Sequence, residues 1–315
     1  MHIWRSLDEV PADLGPTAVV IGNFDGVHLG HRHVLSRARA VADERGLTVV
    51  AVTFDPHPMA VLRPEHAPTS LTSVEARAQL LVDSGADAVL VLPFDRAMAG
   101  WTPEEFVERV LVTSLHAAAV VVGASFRFGY RAAGDVATLR ETGAIHGFDA
   151  EGIALDGGPQ VWSSTYVRTC LATGDVAGAA EALGRPYAVQ GTVVRGDQRG
   201  RELGYPTANV PTSTLTAAPA DGVYAGWLRR LDTGETFPAA ISVGTNPTFE
   251  GERERRVESY VLDRDDLELY GVEVEVSFVA RIRGMLRFDS VEELVATMAQ
   301  DVARTRAVLG VDDPR

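Results

Sequence analysis

Four apolar runs, Thr17–Ile21 and residues 47–54, 88–92 and 117–122, alternate with segments of helical periodicity along the first part of the chain. Each run is short and rich in Val, Ile and Ala, the pattern of strands buried on both faces. Consecutive parallel strands of that kind need helical crossovers to connect them. The expectation is a parallel sheet in a Rossmann-like α/β domain. Helix starts are marked at Thr72-Ser73-Val74-Glu75 and Thr102-Pro103-Glu104-Glu105, both of which read as capping boxes, the second with proline at the first helical position.

The pattern changes at Gly184-Arg185-Pro186, where glycine and proline stop a helix. From Tyr187 the period is two: Val272, Val274, Val276 and Phe278 fall on one face, Glu273, Glu275 and Ser277 on the other. Residues 224–231 and 237–243 flank Asp232-Thr233-Gly234 as a hairpin. The spacing predicts a small antiparallel β-barrel or sandwich, followed by a helix opened by Ser290-Val291-Glu292-Glu293 and running toward Val308. Two domains are expected, residues 1–185 and 186–315.

With 315 residues the chain is long enough to bury two cores. Its net charge of −14 argues against nucleic acid or an anionic membrane as partner, because such binding leans on clustered positive charge. All 29 basic residues are arginine, which removes a lysine P-loop or Schiff base from the available chemistry. The single cysteine, Cys170, has no disulfide partner and reads as a small buried hydrophobe in a helix. No window has the apolar length of a membrane span, and the start lacks a signal-peptide pattern, so a cytoplasmic location is expected.

The segment Gly22-Asn23-Phe24-Asp25-Gly26-Val27-His28-Leu29-Gly30-His31 joins the first apolar run to a helical stripe of Val34, Ala38 and Val41. Glycines at 22, 26 and 30 allow a tight approach to a ligand, and the helix start presents free N–H groups to an anion. His28 and His31, three apart, are expected on one face, where imidazole N–H groups can meet phosphate oxygens whose charge grows during attack at phosphorus. One surface histidine alone carries little meaning. Two on one face beside three glycines point to nucleotidyl transfer.

In the second half, the stretch from Gly196 to Asn209 holds two arginines and ends in Pro206-Thr207-Ala208-Asn209. On a strand Thr207 and Asn209 face the same way, and oxygen donors of that kind suit Mg²⁺. From the residues alone the segment reads either as a metal site or as a turn feeding a barrel strand.

The decapeptide resembles the His-x-Gly-His signature of nucleotidyltransferases in the form found in bacterial FAD synthetases. Thr53-Phe54-Asp55-Pro56-His57-Pro58, the segment 123–129 and Ser163-Ser164-Thr165-Tyr166-Val167-Arg168 follow in the order of that family. Pro206-Thr207-Ala208-Asn209 and Arg256-Val257-Glu258-Ser259-Tyr260 are similar to the riboflavin kinase motifs, and Gly244-Thr245-Asn246-Pro247-Thr248 to another loop of that module. The resemblance covers about residues 16–309 and is to the bifunctional riboflavin kinase/FMN adenylyltransferases.

It implies riboflavin plus ATP to FMN in the C-terminal domain, then FMN plus ATP to FAD and pyrophosphate in the N-terminal one. By the same match Glu258 is the general base, and Thr207 and Asn209 hold Mg²⁺ beside Gly204. His28 and His31 steady the charge at the α-phosphate, while Ser164, Thr165 and Arg168 hold the departing pyrophosphate. Gly22, Phe24, Asp25, Gly30 and Ser125 are implied at the nucleotide, and Phe54, Pro56, His57 and Pro58 at the flavin. Ser125 stands where the family usually has asparagine or aspartate. Its shorter side chain raises an alternative, a riboflavin kinase whose adenylyl transfer is impaired or altered. A flavin-sensing module is disfavoured by the intact His28, His31, Asn209 and Glu258, and an aminoacyl-tRNA synthetase relative by the acidity of the chain. The partners expected are small molecules, with the protein a monomer or weak homo-oligomer.

Overall fold

The structure, a computed structural model, describes residues 2–154, 162–196, 203–211, 216–244 and 255–312. Arg199, Arg201 and the Thr245-Asn246-Pro247-Thr248 stretch therefore lie outside the described residues. Two compact units divide between Ser163 and Ser164.

The first unit is a sheet of six described strands: β1 (His2–Trp4), β2 (Thr17–Ile21), β3 (Thr48–Asp55), β4 (Ala88–Pro93), β5 (Ala117–Gly123) and β6 (Asp149–Ile153). All pairings are parallel and the spatial order is β1-β4-β3-β2-β5-β6. The four runs read from sequence are the four inner strands. Alternation along each strand feeds two cores. Val19, Ile21, Val50, Val52, Val120 and Val122 face one side. Ala18, Val20, Val49, Ala51 and Val121 face the other, against Val34, Leu35 and Ala38 of helix α1 (Leu29–Arg45) and Leu81 of a later helix, Val74–Asp83. The strand order reverses between β2 and β5, and in open parallel sheets the crevice beyond the carboxyl ends at such a point is where ligands bind. The segments 22–31, 53–58 and 123–129 leave β2, β3 and β5, three adjacent strands.

Of the two helix starts read as capping boxes, one forms as read and the other differs. Thr102 and Glu105 do exchange both capping bonds, Thr102 N–H to Glu105 Oε2 at 2.9 Å and Glu105 N–H to Thr102 Oγ1 at 3.2 Å. Before Val74–Asp83, however, the cap is Ser73, whose hydroxyl accepts from Ala76 N–H at 3.1 Å. Thr72 is drawn away by the Asp25 carboxylate.

The second unit contains β7 (Tyr187–Thr192), β8 (Thr207–Pro211), β9 (Gly222–Arg230), β10 (Thr236–Gly244), β11 (Arg256–Val261) and β12 (Glu273–Gly284). The sheet is antiparallel in the order β7-β12-β9-β10-β11-β8. Register shifts in β12 between Phe278 and Ala280 and again between Arg281 and Arg283 bend it, as bulges do. A bridge between Val194 and Asn209 then brings its two edges together into a half-barrel. Val274, Val276 and Phe278 are fully buried, as their period-two spacing requires.

Helices Ser164–Thr173 and Val176–Leu183 belong to this unit, the second burying Val176, Ala179, Ala182 and Leu183. Gly184 closes that helix in the left-handed conformation, φ 67°, where a side chain would be strained. The contact division thus falls before the two helices and the composition change after them.

The C-terminal helix Val291–Leu309 is fastened by a buried ion pair. Arg283 on β12 donates from Nε (3.0 Å to each oxygen) and Nη2 (2.7 Å) to the Asp301 carboxylate, and the two side chains are 15% and 7% exposed. Removing one partner of such a pair leaves a buried charge, worth about 3–5 kcal/mol. Asp301→Ala is expected to lower the stability of the second unit by that amount in urea unfolding, whereas an exposed control, Arg5→Ala, stays within about 0.5 kcal/mol of wild type.

Candidate active sites

The loop after β2 is shaped by backbone conformation. Gly26 (φ 81°), Phe24 (φ 48°) and Val27 (φ 41°) are all left-handed, whereas Gly22 and Gly30 are not. A β-branched residue at positive φ is strained by about 1–3 kcal/mol and persists only where the surroundings hold it. They do so through Asp25. Its carboxylate, 2% exposed, accepts from Leu71 N–H at 2.9 and 3.0 Å, from Thr72 N–H at 3.2 Å and from the Thr72 hydroxyl at 3.3 Å. Gly26 N–H donates in turn to Thr72 Oγ1 at 3.3 Å. Arg77 lies 3.9 Å from Asp25 and donates to Thr53 Oγ1 at 3.2 Å and to the Phe54 carbonyl at 3.1 Å. The Thr53 hydroxyl donates to the Asn23 carbonyl at 3.0 Å. Asp25 and Phe24, both buried, therefore hold the loop from inside.

His28 and His31 do come together, though not as two positions of one helix. His28 precedes α1 and caps it: its Nδ1 accepts from His31 N–H at 3.3 Å. The cap brings the two rings face to face, centroids 3.6 Å apart and 23° between planes, with the Phe24 ring edge-on to His31 at 5.1 Å. An accepting Nδ1 leaves the proton of a neutral imidazole on Nε2, so the cap fixes the tautomer that can donate outward. Burial is the main cause that pushes His28 down to about 4, against the opposing pull of Asp25. His31 is held well below the ordinary value by burial, then by His28 and Arg77. Both rings are neutral hydrogen-bonding groups at pH 7, and Nδ1 of His31 is buried without a hydrogen-bond partner among the described residues.

On the neighbouring strand, Phe54 stands edge-on to Phe94 at 5.9 Å, and the Asp55–Pro56 bond is cis. His57 Nδ1 accepts from Met59 N–H at 3.1 Å, with Pro58 opening the short helix Pro58–Leu62. His57 Nε2 lies 3.3 Å from the Asn23 amide. Since Nδ1 already accepts, a neutral ring carries its proton on Nε2, and the amide must present its oxygen there. This contact links the segment at the end of β3 to the loop after β2. Ser125 is exposed in the turn after β5, whose Phe126 N–H donates to the Gly123 carbonyl at 2.9 Å. Ser164, Thr165 and Arg168 stand on the first turns of the helix Ser164–Thr173 in the second unit. Sequence reading missed Arg77, Asn23 and Thr72. The available signal was an arginine on the apolar stripe of its helix between Val74, Ala78 and Leu81.

In the second unit, register does the positioning. Glu258 on β11 is directly opposite Asn209 on β8 and Ser242 on β10, and Tyr260 is opposite Thr207. Opposed residues of antiparallel strands project to the same face. Asn209 Nδ2 donates to the Thr207 carbonyl at 3.1 Å and to its hydroxyl at 3.3 Å, which leaves Asn209 Oδ1 as an acceptor beside Thr207 Oγ1. Gly196 packs against Asn209, where a Cβ would come within 2.7 Å of the amide. Gly204 (φ 85°) turns the chain into β8.

Two cavities meet at Thr207. One, about 150 Å³, holds Glu258 and is walled by Ile241, Met285, Leu294 and Met298 beneath the C-terminal helix. The other, about 80 Å³, lies toward Asn209, Ser259, Leu269 and Tyr270. Among the described residues no cluster of three or more His, Cys, Asp or Glu side chains could hold a metal. The oxygen pair of Thr207 and Asn209 fits a hard cation that shares phosphate oxygens.

The chain matches the FAD synthetase family over residues 10–161 and the riboflavin kinase family over 183–309. It is 38% identical over 299 residues to a bifunctional riboflavin kinase/FMN adenylyltransferase of Escherichia coli strain K12, covering 94% of each chain. To the protein of the same description from Bacillus subtilis strain 168 it is 31% identical over 311 residues, covering 96% of this chain and 95% of that one. A crystal structure described as a macrolide-efflux protein from Streptococcus pneumoniae superposes with a TM-score of 0.84 at 30% identity, covering 96% of this chain and 98% of that one. No helix among the described residues is long and apolar enough to cross a membrane.

The lowered histidines tie stability to pH. The folded value of about 4 for His28 lies below the 6.5 of an exposed imidazole, so the unfolded chain takes up the proton first. The stability contributed by neutral His28 is complete above about pH 6.5 and is lost as pH falls toward about 4, in all about 3 kcal/mol. His28→Asn keeps a capping acceptor and is expected to flatten this dependence in urea unfolding between pH 7.5 and 4.5. An unchanged slope would contradict the assignment.

Proposed function

The chain belongs to the bifunctional riboflavin kinase/FMN adenylyltransferase family, and from that premise we propose which residues carry each of its two reactions. The kinase reaction, riboflavin and ATP to FMN and ADP, falls to the second unit. Its support is the opposition of Glu258 and Asn209 across β8 and β11 at the rim of an apolar cavity. The isoalloxazine ring takes the larger cavity with the ribityl chain toward Glu258, and the nucleotide takes the smaller one. Glu258 accepts the proton of the terminal ribityl hydroxyl. The resulting oxygen forms a bond to the γ-phosphorus while the bond to the β,γ-bridging oxygen breaks, and ADP leaves. Such a step needs alignment and charge neutralisation more than covalent help, which is why one oriented carboxylate is sufficient. Thr207 Oγ1 and Asn209 Oδ1 would hold Mg²⁺, whose contribution when bound is to offset negative charge on the phosphates.

FMN adenylylation falls to the first unit. A phosphate oxygen of FMN attacks the α-phosphorus of a second ATP and pyrophosphate departs with the bonding electrons. The neutral His28 and His31 donate hydrogen bonds to the charge that builds on the α-phosphate, from a loop whose shape is fixed before substrate arrives. Phe54, Pro56, His57 and Pro58 border the flavin, and Gly22, Gly30 and Ser125 the nucleotide, while Asp25 and Phe24 act through the loop. The resemblance assigns Ser164, Thr165 and Arg168 to the leaving pyrophosphate. Relatives that match across both units support two activities over a kinase disabled at Ser125. The same reading places the enzyme in the cytoplasm, as a monomer or weak homo-oligomer.

Chromatography of flavins after incubation with riboflavin, ATP and Mg²⁺ is expected to show FMN and then FAD. Glu258→Gln is expected to lower FMN formation about 10²- to 10⁴-fold and leave FMN-to-FAD conversion intact. His28→Ala and Arg168→Ala reverse the pattern. FMN accumulating without FAD in the wild type would overturn the adenylyl assignment, and Glu258→Gln of normal kinase rate would overturn the base.

A further inference from the structure

Successive residues of a strand point to opposite faces, so Glu258 and Ser259 look into different spaces. Glu258 borders the larger cavity. Ser259 faces the smaller one, where Val193, Ala208, Val261, Leu269 and Tyr270 form mostly apolar walls. Its hydroxyl is fully buried and has no hydrogen-bond partner among the described residues. The other polar side chains of that cavity are differently placed. Thr207 sits at the end shared with the larger cavity, and Asn209 bonds to it. Arg264 is paired with Asp266 at 2.6 Å, and Asp265 is exposed.

A buried hydroxyl without a partner costs about 1–3 kcal/mol, and an apolar core position one strand residue from the base would be filled at no such cost by alanine. A ligand that brings a polar edge into this cavity recovers the lost bond. The flat, apolar-faced, polar-edged group among the substrates of this unit is the nucleobase, since the phosphates belong at Thr207 and Asn209. We propose that Ser259 is a specificity-determining residue of the kinase reaction, hydrogen-bonding the adenine edge of ATP. This rests on the assignment of the smaller cavity to the nucleotide. A hydroxyl can both donate and accept, so it can serve the exocyclic amine or a ring nitrogen.

Ser259→Ala separates this role from a packing role. The expected result is a KM for ATP raised about fivefold, with kcat and the KM for riboflavin unchanged, corresponding to one neutral hydrogen bond. Among the triphosphates of purine riboside, 1-deazaadenosine and 7-deazaadenosine, the one lacking the bonded atom should show no penalty in the variant. Without nucleotide the variant should melt at or above the wild-type temperature, because an unsatisfied group has been removed, while its stabilisation by AMP-PNP shrinks. An unchanged KM for ATP, or an equal penalty for every analogue, would overturn the proposal. If wild-type protein fails to make FMN at all, the kinase reading itself falls. If it makes FMN and Ser259→Ala uses ATP equally well, only the Ser259 assignment falls.

Discussion

Arg77, with 4% of its side chain exposed, reaches three residues in two parts of the first unit at once: Thr53 and Phe54 at the end of β3, and Asp25 in the loop after β2. A buried guanidinium is tolerated only where its charge and its donors are met, because taking an ion out of water costs several kcal/mol. The planar fork can satisfy a hydroxyl, a carbonyl and a nearby carboxylate together, which the compact ammonium of a lysine does less well. Everything at the histidine pair depends on this anchor. Asp25 is held in place between Arg77 and the Leu71–Thr72 backbone, and it keeps Phe24, Gly26 and Val27 in left-handed conformations that would otherwise relax. Those conformations bring His28 to the start of α1, where it becomes the cap. The charge of Arg77 also helps keep His31 neutral.

The second unit reaches comparable order by another route. Glu258 and Asn209 stand opposite each other across β11 and β8, with Thr207 opposite Tyr260. Backbone register sets their positions, and register in an antiparallel sheet is strongly specified when one face is buried, since a slip by one residue turns every side chain over. Val257, Ser259 and Val261 are buried on one face of β11, so Glu258 and Tyr260 must project from the other. The buried Arg283–Asp301 pair then holds the C-terminal helix over the cavity that Glu258 borders.

What the sequence made legible follows from this difference. Strands buried on both faces, period-two alternation and helix stops such as Gly184 are local signals, and the elements they mark form where expected. The short outer strands β1 and β6 were not legible: three and five residues long, they have too few apolar positions to show a period. The histidine pair was legible as a pair, but its geometry was not. Spacing of three reads as a helical face, whereas His28 lies outside the helix and is placed by a network whose members, Asp25, Thr53, Thr72 and Arg77, are distant in sequence. Thr72 shows the same limit. It has the sequence of a capping residue and loses that role to a carboxylate 47 positions away. Long-range polar contacts compete with local patterns, and local reading has no access to the winner.

The electrostatic character of the first site has a further consequence. A protein of net charge −14 repels ATP at long range, and a cationic pocket would be the direct remedy. The histidines provide none at neutral pH, since burial keeps both uncharged. A charged imidazole would bind the triphosphate of the ground state and the transition state with similar strength, and such uniform binding tightens the complex without lowering the barrier. A neutral imidazole with its tautomer fixed by a backbone bond offers a donor whose attraction grows as charge accumulates on the phosphate oxygen during attack. The differential gain is retained and the ground-state affinity is left to other groups. In the proposed adenylylation the cap from His31 N–H to His28 Nδ1, a structural bond of α1, also fixes which nitrogen of His28 donates, because without it the ring could carry its proton on either one.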